Sequence, residues 1–130
     1  MINWNDLNNT ELLLYRKPEI EIKYLEFKQE ILKKDNNICE YILDNILKNK
    51  MISMNINKFP YDVNRNVIHW IIWNKRKHNI KKYRKMVYKL FNPKYYDIIF
   101  RINKLEHQSI PEINHCHLFI KNKITFDYNN

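Results

Sequence analysis

Glycine is absent from all 130 residues, and that absence excludes every phosphate site built on a glycine-rich loop, because Walker-type and Rossmann-type turns need backbone where a Cβ would intrude. Cysteine is scarce as well. Cys39 and Cys116 stand far apart in no paired motif, which argues against a secreted disulfide framework and for reduced thiols in a cytosol-like compartment. Long hydrophobic runs are missing: no stretch approaches the roughly 20 apolar residues that span a bilayer. Met1 to Leu14 is polar and asparagine-rich, without the basic start and apolar run of a signal peptide. These absences lead to the expectation of a cytoplasmic protein with no membrane partner, folded as a single domain over 1–130 without disulfide or metal staples.

Acidic residues are missing from one block. The net charge is +9, and abundant lysine, asparagine and isoleucine beside absent glycine is the pattern of an AT-rich coding sequence. Codon bias would spread the excess evenly, yet Val63 to Tyr96 carries 10 Lys/Arg and no acid, against 9 bases and 10 acids before it and 4 of each after it. An anionic partner is therefore expected, either a phosphorylated small molecule or nucleic acid.

The helical part extends over about 8–50. Ile20, Tyr24, Phe27 and Ile31 recur at a near-helical period within Pro18 to Lys34, with Pro18 at a first-turn position. Asn37 and Glu40 have the spacing of a capping box for a second helix ending near Lys48. The strand-rich part, about 59–122, begins at Phe59-Pro60-Tyr61-Asp62, where proline breaks any helix. Val67 to Trp73 reads as a buried strand with His69, Ile71 and Trp73 on one face and Ile68, Trp70 and Ile72 on the other. Lys75 to Phe91 reads as a basic helix. Tyr95 to Ile102 and His115 to Ile120 are two more strands, and Phe126 and Tyr128 in the polar tail are candidate docking residues. The fold class expected is α/β (α+β): a small mixed or antiparallel sheet of about three strands, packed with N-terminal helices and one basic helix.

His115-Cys116-His117 places two imidazoles on one side of a strand, and His69 joins them if the strands are neighbours. Two histidines fall short of a metal constellation, which wants three or four ligands, so no metal is assigned. His117 is the candidate general acid/base, with His115 orienting it and His69 as the third member. Trp73 and Trp70, facing opposite sides, together with Tyr61, Asp62 and Arg101, are the candidate ligand-binding residues. Lys75, Arg76, Lys77, Lys81, Lys82, Arg84, Lys85 and Lys89 are the candidate phosphate or nucleic-acid contacts, with Tyr83 and Tyr88 interleaved for stacking.

The strand His115-Cys116-His117-Leu118-Phe119 resembles a truncated His-x-His-x-His signature of the histidine-triad nucleotide hydrolases. Phe119 stands where the third histidine belongs, and the two-histidine phosphoesterases would want a hydroxyl where Ile71 and Phe119 stand. Taken in order, Tyr15-Arg16-Lys17-Pro18, Tyr24-Leu25, Glu40-Tyr41-Ile42, Phe59-Pro60-Tyr61-Asp62, His69-Trp70-Ile71-Ile72-Trp73 and Ser109 to Phe119 resemble the N-acetylglucosamine-induced protein family, a domain without an assigned reaction. That resemblance implies an α/β domain and a tie to amino-sugar or nucleotide-sugar metabolism, and marks His69, Trp73, His115 and His117. The composition would suit a giant-virus member. The function expected is binding, with hydrolysis as an extension, of a nucleotide or nucleotide-sugar at a His/Trp pocket. Alternatives are RNA binding through the basic helix 75–89 and a protein-interaction adaptor.

Overall fold

Strand alternation sets the architecture, because each strand sends odd-numbered and even-numbered side chains to opposite faces of one sheet. The computed structural model describes residues 1–34 and 37–123; Phe126 and Tyr128 lie outside the described residues. Four strands, β1 (Ile52–Ile56), β2 (Ile68–Asn74), β3 (Tyr96–Arg101) and β4 (Asn114–Asn122), form an antiparallel sheet in the order β1-β2-β4-β3. The class is mixed α+β, with a fourth strand beyond the three expected. That strand, β1, pairs Met54 with Ile72 and Asn55 with Ile71. Its Ile-x-Met-x-Ile alternation is short, and methionine and asparagine carry little strand propensity of their own.

The register brings the histidines together. His117 lies opposite Ile71 on β2 and opposite Arg101 on β3, while His115 faces Trp73 and Phe119 faces His69. All of these side chains occupy one face. The chain start covers one end of it, with Ile2, Leu7 and Leu14 packed on Val67, Ile99 and Phe119. At the other end Ile42, Leu47, Ile110 and Ile113 pack on Ile71 and Trp73.

Two helical segments wall this face. Helix α1 (Pro18–Lys33) starts on Pro18 and buries Tyr24 and Ile31. Helix α2 (Ile38–Tyr41) is capped by Asn37, whose side chain accepts the Glu40 N–H at 2.8 Å, and it widens into a π-helical coil over Ile42–Leu47. Lys48 and Asn49 then take positive φ, 48° and 67°. In a chain without glycine these two residues carry the left-handed exit, asparagine being among the least costly substitutes.

The opposite face is apolar. Ile72, Cys116, Leu118 and Ile120 pack on Tyr83 and Val87 of α3 (Ile80–Leu90). Helix α3 is shorter than expected: Asn79 caps it through Lys82 N–H, and Lys75, Arg76 and Lys77 belong to the preceding loop. There Lys75 N–H extends the β1–β2 ladder onto Met51 O at 3.0 Å, and Asn74 Oδ1 accepts Arg76 N–H. No helix among the described residues is long and apolar enough to cross a membrane.

Candidate functional site

A cavity of about 320 Å³ opens on the histidine face, within the size range of small-molecule sites. His115, His117, Trp73 and Tyr61 reach it from the sheet and the Phe-Pro-Tyr turn, Tyr24 and Phe27 from α1. Arg16 and Lys58 are the charged side chains among its described lining residues, and no carboxylate is among them. The field inside is therefore positive. Arg16 stacks 4.1 Å above the Tyr24 ring and 5.4 Å from Tyr61. Its Nε donates to Phe59 O at 2.8 Å and Nη1 to Glu21 at 3.1 Å, leaving Nη2 without a partner among the described residues.

Hydrogen-bond chemistry fixes the proton positions in the sheet, because a backbone N–H can only donate and a carbonyl can only accept. Tyr61 N–H donates to His69 Nδ1 at 3.1 Å, so neutral His69 carries its proton on Nε2. That proton points at His117 Nδ1, 2.8 Å away. His117 in turn must carry its proton on Nε2, which lies 3.4 Å from Tyr61 Oη. Asn103 is oriented in the same way: its Oδ1 accepts Arg101 Nε–H at 2.6 Å, so its Nδ2 donates to Tyr61 Oη at 3.0 Å. The Tyr61 oxygen receives two N–H groups, and its own proton remains to be donated into the cavity.

Burial keeps this chain neutral. It drives the His69 pKa down to about 3, with the Arg16 charge assisting, and drives His117 well below the ordinary histidine range, assisted by His69, His115 and the two arginines. Tyr61 is raised, again mainly by burial. His115 is lowered by burial against the opposing pull of its bond to Ile113. Its Nδ1 lies 2.9 Å from Ile113 O and must donate there, so Nε2 holds a lone pair with no partner among the described residues. Trp73 supplies the complementary defect: the residue is 5% exposed and its Nε1–H has no acceptor among the described residues. His107 Nδ1, at the cavity wall, is likewise buried without a partner.

Several expected residues fall elsewhere. Trp70 lies on the α3 face against Phe91. Asp62 is outside the cavity, its backbone N–H on Tyr15 O and its carboxylate 3.6 Å from the Met1 amino group. Arg101 is 2% exposed and spends its guanidinium on backbone carbonyls of Leu7, Asn9 and Leu12. It binds the chain start and is closed to a ligand. None of the eight basic-block residues lines the cavity, because α3 covers the other side of the sheet. Tyr83 is fully buried, hydrogen-bonded to Asn74 and His78, so it cannot stack on a base. Arg16, Lys58, Asn103 and His107 were not singled out from the sequence as site residues. Only Arg16 carried a signal, two residues before Pro18 in a segment of the family resemblance.

Residues 1–121 match a family profile described as "Protein of unknown function (DUF3605)". The chain belongs to this DUF3605 family. HTC1, known from a crystal structure, shares the DUF3605 chain's fold with a TM-score of 0.59 and 21% identity, over 90% of this chain and 81% of that one. No curated protein matches it at a significant level. Among the described residues of this DUF3605 member no group of three or more His, Cys, Asp or Glu side chains is placed to hold a metal ion.

Proposed function

We propose that the cavity binds an anionic small molecule with a flat or sugar-like body, of the nucleotide or nucleotide-sugar class. The observation that carries this reading is the polarity of the unused groups. Trp73 Nε1–H is a buried donor without a partner among the described residues, Tyr61 O–H and Arg16 Nη2 are further donors at the aromatic wall, and the exposed Lys58 adds a cation at the lining. Such a surface complements a ligand rich in acceptor oxygens, and buried donors left unpaired favour a ligand that satisfies them. The resemblance to the N-acetylglucosamine-induced proteins supports a sugar-bearing ligand in the same direction.

His115 Nε2 is a free acceptor on the sheet side of the cavity, fixed as such by the bond its Nδ1 makes to Ile113 O. Of the sheet histidines, the proton transfer falls to His115, because both nitrogens of His117 are committed to His69 and Tyr61. A neutral imidazole fixed by a carbonyl on its far nitrogen is a competent general base toward a water or a ligand hydroxyl. His69 and His117 act as positioning residues for Tyr61.

Calorimetric titration with a nucleoside monophosphate, its nucleoside and a nucleotide-sugar tests the reading. Binding of the phosphorylated compounds, weakened at least tenfold by Arg16→Gln and by Trp73→Phe, is expected. Equal binding of the uncharged nucleoside, or no heat from any of the three, overturns it. If product forms, His115→Ala should abolish turnover and His117→Gln should reduce it less.

A further inference from the structure

On the far side of the sheet a second groove, about 400 Å³, runs between β1 and α3, with Met54, Met86 and Leu90 as its floor and Lys82, Lys85 and Lys89 along its rim. The helical spacing of Lys82, Lys85, Met86, Lys89 and Leu90 puts all five on one side of α3. Leu90 is 67% exposed, and Ile56 and Ile68, on the same sheet face, are also solvent-exposed.

Beside this groove β1 is the edge strand, with no further strand paired to it among the described residues. Lys75 N–H bonds to Met51 O and Asn57 N–H bonds to His69 O, so odd-numbered residues of this segment turn their backbone groups toward β2. By alternation, Ile52, Met54 and Ile56 direct theirs outward. Edge strands are ordinarily guarded by proline, a bulge or a charge, and Ile52–Ile56 contains none of these. The residues with outward backbone groups are the same ones whose side chains face α3.

We infer that β1 and this groove form a docking site for an extended acidic-hydrophobic segment of a partner protein, which adds as a fifth strand. Its backbone pairs with Ile52, Met54 and Ile56, and the alternate side chains that face α3 carry both functions, apolar ones entering the groove and carboxylates at the ends of the same alternating set meeting Lys82, Lys85 and Lys89. Charge selects the partner. A second copy of this chain would bring its own lysine rim to the same groove, and like-charge juxtaposition opposes that pairing. Nucleic acid would find no stacking ring at the floor, where the side chains are methionine and leucine, and methionine suits varied aliphatic partners.

The test uses the full chain and a fluorescein-labelled seven-residue peptide with glutamate at positions 1 and 7, leucine at positions 3 and 5 and threonine between, so that acid and apolar side chains share one face of the added strand, read by fluorescence polarisation. Saturable binding is expected, together with slowed amide exchange at Ile52, Met54 and Ile56. Met54→Pro deletes an outward N–H without touching the β2 ladder, and should weaken binding about tenfold or more while the thermal midpoint stays within a few degrees. Should that variant unfold, charge reversal of Lys82, Lys85 and Lys89 to glutamate keeps the question decidable, since it must weaken the acidic peptide by at least as much. Absence of peptide binding overturns the proposal. So does tighter binding of a single-stranded RNA oligomer that Met54→Pro leaves unchanged, or a concentration-dependent dimer by sedimentation that the same substitution abolishes.

Discussion

The two faces of the sheet are built from the same strands yet solve opposite problems. Toward α3, Ile72, Cys116 and Leu118 are fully buried among apolar neighbours. Toward the N-terminal helices, His69, His115, His117 and Arg101 are buried too, at 2–5% exposure, polar groups set among the apolar Ile71, Trp73 and Phe119 of the same face. Burying polar groups is costly unless each finds a partner. On this face they do, through a chain of bonds whose direction leaves no choice of tautomer, except where a group is aimed at the cavity. Buried polar atoms without a partner among the described residues occur on both faces, Trp70 Nε1 toward α3 and Trp73 Nε1 and His107 Nδ1 on the histidine face, and of these only the last two line the cavity, where a ligand could complete them.

The sharpest way to break the comparison is Arg101→Ala. It removes a buried cation serving several carbonyls of the chain start, and a loss of about 3–5 kcal/mol in urea unfolding is expected. On the apolar face, Leu118→Ala should cost about 2–4 kcal/mol through the cavity it leaves, without altering ligand affinity. If that substitution abolishes binding instead, the two faces are not independent.

Acid should tell the faces apart next. His69, His115 and His117 have folded pKa values below the ordinary 6.5, so between the folded and unfolded values the unfolded chain binds more protons. Stability is therefore full above about pH 6.5 and declines as pH falls below it, by roughly 1.4 kcal/mol per pH unit for each histidine that gains its proton on unfolding. Thermal midpoints measured from pH 7.5 to 4.5 should show this, and His69→Phe should flatten the slope. A midpoint independent of pH would mean that the folded and unfolded chains take up protons equally and that burial does not depress these histidines. The smallest effect belongs to Trp73→Phe: with no bond to lose, stability should move by less than about 1 kcal/mol while ligand binding weakens.

Much of this arrangement was legible in the sequence, and the exceptions share a cause. Alternation along Val67 to Trp73 and His115 to Phe119 assigned Trp70 and Trp73 to opposite faces and His69, His115 and His117 to candidate partnership, because period-two patterning is a local property. Arg101 was misread as a ligand contact since its partners lie some 90 residues upstream, and nothing local distinguishes an arginine that binds phosphate from one that ties down a chain. The same holds for the histidine roles. Their spacing was local, but which nitrogen is free depends on Ile113 O and Tyr61 N–H, and only the fold supplies those. The basic block was visible as charge, yet its separation from the cavity depends on α3 lying across the sheet.

The grip of Arg101 on the chain start also sets an order of assembly. Leu7, Asn9 and Leu12 leave the ribosome long before the strand that carries their anchor, and Phe119, on which Leu7 packs, follows later still. Contacts of such sequence separation form slowly. Residues made well before their anchor are thus among the last to settle, and until they do, one end of the histidine face stays uncovered to whatever the nascent chain meets.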